Sequence, residues 1–201
     1  MTIAKSKLLT QPMTLAAYLN YDDGTDTRYE LVDGILVEMP TESPLNNTIA
    51  LFLISTFLGL GVPYYCLATH HQIQVHSDQA TAREPDLILH TEASATAILK
   101  DGKLLRLEQP APQLVVEVVS SSDTDKAARD RDYIEKRREY AQRGIPEYWI
   151  IDPVAAEVWI LTLVDKTYQD QTFVGPDRLL SKHFAALDLT AEQLLKAGLI
   201  K

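Results

Sequence analysis

The sequence predicts an α/β fold: a mixed central β-sheet flanked by helices. Three observations carry that expectation. Leu114-Val-Val-Glu-Val-Val119 is a continuous apolar run with one acid inside it, the pattern of a strand buried on both faces. A helical stretch and then Tyr148-Trp-Ile-Ile151 follow, giving one strand–helix–strand unit from Leu114 to Ile151. Upstream, Asp33-Gly34 lies between two strand-like runs, the signal of a two-residue hairpin turn needing positive φ.

The elements are justified in chain order. Thr14 to Asn20 reads as a short helix. Arg28 to Met39 reads as the hairpin, with Val32 paired to Ile35 and Glu30 to Val37. In that register Glu30 shares a face with Val32, Ile35 and Val37, at the end of an apolar face. Ser43 to Leu60 places Ile49, Leu53, Thr56 and Leu60 on one face at a helical spacing. Tyr64 to Val75 is strand-like, and Pro85 to Leu89 is a short strand after a turn. A loop is expected around Asp101-Gly102. Ser120-Ser-Ser-Asp-Thr-Asp125 is rich in helix-capping residues, so a helix is expected from about Lys126 to Arg143, stopped by Gly144. Glu157 to Leu163 and Thr167 to Val174 form a closing hairpin. Thr190 to Leu195 is a terminal helix.

The chain's 201 residues suit a single domain spanning 1–201. Hydrophobic residues make up 46% and charged residues 23%, which excludes a disordered or fibrous chain. No apolar run approaches the ~20 residues of a membrane helix, and Met1 to Gln11 lacks a signal-peptide core. The lone Cys66 cannot form an intrachain disulfide and reads as a small core residue, so a cytoplasmic setting is expected. Nineteen Lys and Arg against 28 Asp and Glu give a net charge of −9, which disfavours non-specific nucleic-acid binding. The charge is uneven. Lys126 to Arg143 holds seven basic residues against four acidic ones.

Glu117 is the sharpest chemical signal. A carboxylate inside a buried strand is costly unless it is paired, protonated or bound to metal. A core acid bonded to backbone or arginine is the competing reading. Asp86 starts the neighbouring short strand, where an aspartate is most often a turn or strand-edge residue. Two carboxylates from adjacent strands can hold magnesium, which also takes phosphate oxygens and water. That arrangement suits phosphodiester hydrolysis. Asp132, Lys136 and Tyr140 recur at i, i+4 and i+8, on one side of the expected helix. Lys136 either snorkels or aims an ammonium at a phosphate or an attacking water. Asp132 and Glu135 read as solvated partners, and Glu30 as a solvated strand acid or a supporting one. The histidines at 70, 71, 76, 90 and 183 form no convincing metal set. Phosphate-binding glycine loops and serine-nucleophile elbows are absent from the sequence.

These residues resemble a known family. Arg28-Tyr-Glu-Leu-Val-Asp-Gly34, Glu84-Pro-Asp-Leu87, Leu114-Val-Val-Glu-Val-Val-Ser120 and Lys136 through Asp152 are similar, in order, to motifs of the Uma-two family of restriction-endonuclease-like proteins, within the PD-(D/E)xK nuclease superfamily. Tyr140, Gly144 and Glu147-Tyr-Trp-Ile-Ile-Asp152 add to the likeness, which runs from about Met13 to Leu195. The resemblance implies a restriction-endonuclease-like core and a hydrolase that cuts DNA as an endonuclease with Mg²⁺ or Mn²⁺. It implies Asp86 and Glu117 as metal ligands, Glu30 as a supporting acid and a homodimer as the working form. The superfamily's lysine stands two residues after the acid, where this chain has Val119. The family's relocated lysine maps to Lys136, with Tyr140 one turn on to position it. The alternative is a non-catalytic module that binds nucleic acid or protein on the same fold. A hydrolase for RNA or another phosphodiester is a lesser reading.

Overall fold

The computed structural model describes residues 12–39, 41, 43–119 and 129–197. The capping cluster expected at 120–125 lies outside them. The elements are α1 (Leu15–Leu19), β1 (Tyr29–Val32), β2 (Ile35–Glu38), α2 (Pro44–Gly59), β3 (Leu67–Ala68), β4 (Gln72–Val75), β5 (Thr81–Arg83), β6 (Leu87–Leu89), α3 (Glu92–Asp101), β7 (Leu104–Leu105) and β8 (Leu114–Val118). A π-helical stretch, Arg131–Lys136, then runs into α4 (Arg137–Arg143). It is followed by β9 (Glu147–Asp152), β10 (Glu157–Val164), β11 (Thr167–Val174) and α5 (Ala191–Lys196).

The architecture is mixed α/β, with its strands divided between two mixed sheets. One has the order β2-β1-β5-β4-β7, the other β11-β10-β9-β8-β6-β3. β8 and β9 pair in parallel, as the strand–helix–strand unit requires. Along β8 the side chains alternate between two cores. Leu114, Val116 and Val118 pack with α2, α5 and Trp149. Val115 and Val119 face the opposite core, with Tyr140, Ala141 and Tyr148. Glu117 has the parity of this second face, so it points toward α4. Both faces are apolar, which is why the strand reads as unbroken valine.

The hairpin has the expected register, with Glu30 opposite Val37 and Val32 opposite Ile35. Asp33 and Gly34 both take positive φ, 48° and 80°. The Glu30 face, however, is not an apolar core face. Ile35 on it is 65% exposed, whereas Leu31 on the other face is fully buried. The expected strand over 64–75 is interrupted. Residues Tyr64–Cys66 form a 3₁₀ turn, so buried Cys66 lies in a turn rather than a strand. His70 breaks the run again with φ 62°. Helix α3 stands where only a loop was expected. Thr91 caps it by accepting from the Ser94 N–H, and Gly102 ends it in the left-handed region.

Candidate active site

Asp86 and Glu117 meet because of strand register. β6 and β8 are antiparallel, with Leu87 opposite Val116. One step outward, Asp86 falls opposite Glu117. The Val118 N–H donates to Asp86 Oδ2 at 2.6 Å, which ties the aspartate to the end of β8. Both acids line a small cleft of about 70 Å³. The β1–β2 hairpin supplies Glu30 and Val37 to its wall, and the π-helical stretch supplies Arg131, Asp132 and Lys136.

The π-helical stretch turns two charged residues inward. Lys136 Nζ lies 2.8 Å from Glu117 Oε2 and 3.1 Å from Asp132 Oδ1. All three residues are about 4% exposed. The backbone of the stretch is held by Tyr148, whose hydroxyl donates to the Asp132 carbonyl at 3.0 Å. Tyr140, one turn beyond Lys136, donates its hydroxyl to Glu117 Oε1 at 2.8 Å. Lys136 and Tyr140 thus hold the two oxygens of one carboxylate in a fixed orientation. Val119, at the superfamily's lysine position, is buried in the apolar core.

The charge balance of the cleft favours an added cation. Burial pushes the Glu117 carboxyl up from 4.5 to about 8, with Asp132, Asp86 and Glu30 adding to the rise and Lys136 opposing it. Burial disfavours the Lys136 ammonium, but Asp132, Glu117 and Glu30 outweigh it and hold the lysine above its ordinary value. The ammonium therefore stays charged at neutral pH. Asp132 Oδ1 is buried, with the Lys136 ammonium 3.1 Å and Arg131 Nε 3.6 Å away. The oxygen donors of Asp86 and Glu117, in a cleft with surplus negative charge, fit a hard divalent cation. Among the described residues no group of three or more His, Cys, Asp or Glu could hold a metal ion unaided. Mg²⁺ does not need one, since it binds through one or two carboxylates and completes its shell with water and phosphate oxygens.

Glu30 is set back behind this cluster. Its Oε1 accepts from the Glu84 N–H at 2.9 Å and its Oε2 from Arg83 Nη1 at 3.1 Å. Burial opposes its charge, but Lys136 and Arg83 prevail and hold its carboxyl below the usual value. Arg83 is fully buried and also binds Glu139 through Nε and Nη2, at 2.8 and 2.9 Å. This arginine links the hairpin to α4, and sequence reasoning missed it. The signal was an arginine inside a short run, Thr81-Ala-Arg83, bordered by small residues.

Asp132 was also undervalued. It is buried beside Lys136 rather than solvated. The basic residues of 129–143 scatter as helix geometry demands. Arg129 pairs with Asp152, Arg137 with Asp170, and Arg143 caps the carbonyls of Arg106 and Gln109. Arg138 is exposed, and Arg131 alone of these arginines lines the cleft, its Nε 3.6 Å from Asp132 Oδ1. The acids of Glu147-Tyr-Trp-Ile-Ile-Asp152 are structural. Glu147 accepts from Trp149, Ser181 and the Lys182 N–H, and Asp152 from Tyr133 and two backbone N–H groups.

A family model described as "Uma2: Putative restriction endonuclease" matches residues 15–192. The chain is also similar to a solved structure from Anabaena variabilis, described as "a putative nuclease belonging to DUF820". The identity is 17%, the TM-score 0.68, and the match covers 94% of this chain and 100% of the other. A likeness at that identity speaks for the fold. No curated protein matches the chain.

Proposed function

This chain belongs to the Uma2 family, and from that premise we propose that it is a divalent-cation-dependent endonuclease hydrolysing DNA phosphodiester bonds. The observation that carries the reading is the convergence of Asp86, Glu117 and Lys136 on one cleft. Asp86 and Glu117 would hold Mg²⁺ or Mn²⁺ through carboxylate oxygens. Such an ion, when bound, supplies charge neutralisation at the phosphate and a more acidic water.

The chain's own residues do the rest. Lys136 stays protonated, so it acts as a fixed cation against the charge that builds on the phosphorane, and as an orienting donor for the attacking water. It is not a general base. Asp132 holds that ammonium in place from the neighbouring turn. Tyr140 keeps Glu117 oriented and remains a donor, because burial and the adjacent Glu117 raise its pKa well above the ordinary value. Arg131 presents a guanidinium suited to a phosphate oxygen. Glu30 is a positioning residue acting through Arg83 and the Glu84 backbone. A homodimer would bring two such clefts to the two strands of a duplex.

One observation favours the non-catalytic alternative. Both Glu117 oxygens are already engaged, by Tyr140 and Lys136. Cleavage of supercoiled and single-stranded DNA with Mg²⁺ or Mn²⁺ separates the readings. The nuclease reading expects metal-dependent nicking, reduced about 10²-fold or more in Glu117→Gln and in Lys136→Met. Folded wild-type protein that nicks nothing across varied substrates supports the binding module instead.

A further inference from the structure

We propose that a second pocket, beside the acidic cleft, receives an unpaired nucleobase flanking the phosphate held in that cleft. This deepens the nuclease reading and rests on it for the phosphate's position. The pocket is the larger of the two, about 310 Å³ against 70 Å³. Arg28 and Glu84 line both, so the two are neighbours across one shared wall. A nucleotide chain lying over the cleft would have its next base beside this opening.

The lining has the chemistry of a single-strand site. Tyr21 and Tyr29 stand edge to face, with ring centroids 5.7 Å apart. Tyr21 is 41% exposed, which leaves ring surface open for stacking. Arg28 and Lys103 bring positive charge to the same pocket, and among the described residues lining it Glu84 is the only acid. Aromatic faces interleaved with basic groups are what bind unpaired nucleic acid, through base stacking and backbone attraction.

The pocket is also built rather than incidental. Arg28 Nη1 forms an ion pair with Glu84 Oε1 at 3.1 Å and a hydrogen bond with His70 Nδ1, which itself lies 3.1 Å from Glu84 Oε1. His70 holds φ 62°, a backbone state a histidine adopts at a cost, and it turns the chain there between β3 and β4. Gln72 Nε2 donates to the Tyr18 hydroxyl at 2.7 Å and to Glu84 Oε2 at 3.2 Å, bracing the floor.

The test uses a short single-stranded DNA carrying one 2-aminopurine, bound to the full chain with Ca²⁺ in place of Mg²⁺, so that the cleft holds a cation while cleavage is suppressed. Wild type should bind it and quench the 2-aminopurine by stacking. Tyr21→Ala should weaken binding about tenfold or more and abolish the quench, while Tyr21→Phe retains both. The fully paired duplex should compete poorly. Equal binding by wild type and Tyr21→Ala would overturn the proposal, as would no binding of the single strand or equal binding of the duplex. Loss of nicking activity alone would sink the nuclease reading and leave this binding result standing.

Discussion

Glu117 sits among valines, and the structure places one hydrogen-bond donor on each of its oxygens. That acid was legible in the sequence because a lone carboxylate in an apolar run demands a partner. Lys136 and Tyr140 were legible as one helix face through their spacing. Arg83 and Asp132 were not, because their burial comes from packing between sequence-distant elements. Arg83 joins Glu30 to Glu139 across more than fifty residues of chain in each direction. Arg83→Met should leave two buried carboxylates without their cation and cost about 3–5 kcal/mol in urea unfolding. An unchanged midpoint would show that the network is not needed for stability. His90 supplies a pH prediction. It is 3% exposed, its Nδ1 lies 3.1 Å from Ser94 Oγ and its Nε2 3.2 Å from His71 Nδ1. Burial, aided by His71, lowers its pKa from 6.5 to about 4. Between those values the unfolded chain binds a proton that the folded chain refuses, so the stability from neutral His90 is present above 6.5 and lost as pH falls toward 4. The loss amounts to as much as about 3 kcal/mol. His90→Gln should flatten that part of the profile, and an unchanged slope would rule His90 out as its source.

Elements were legible where turn chemistry was explicit. The Asp33-Gly34 hairpin fixed its own register, and that register decided where Glu30 points. Gly34 there has a steric reason beyond its φ of 80°. A Cβ on it would lie 2.6 Å from Pro12 Cβ. Gly34→Ala should therefore cost roughly 1–3 kcal/mol, read as a lower Tm. An unshifted Tm would show that the Pro12 segment yields freely. The break at His70 was hidden because histidine, though enriched at positive φ, is still mostly found elsewhere and signals a left-handed turn only weakly. Helix α3 was hidden for the opposite reason. Its Thr91 cap and Gly102 stop are present in the sequence, but its Ala, Ser and Thr composition offers little periodicity between them. The π-helical turn was invisible too. Spacing predicted that Asp132 and Lys136 share a face, yet not that the wider turn would bury both.

At the scale of the molecule, the acidic cleft forms where the two sheets and the π-helical stretch meet. β1 and β2 come from one sheet, Asp86 and Glu117 from strand ends of the other. The basic stretch over 126–143 stands out in the sequence, but three-dimensional packing assigns most of the arginines among its described residues to structural carbonyls and carboxylates. No described helix is long and apolar enough to cross a membrane. On the proposed reading, what remains for substrate is local: Arg131 at the cleft, and Arg28 and Lys103 beside it. Binding should therefore depend on a few named contacts rather than on net charge. The most direct test of the account is a Mn²⁺ titration of wild type and Asp86→Asn, followed by electron paramagnetic resonance. Saturable Mn²⁺ binding by wild type, weakened about tenfold or more in a folded Asp86→Asn protein, is the predicted result. Equal binding by both proteins, or none by wild type, would contradict it.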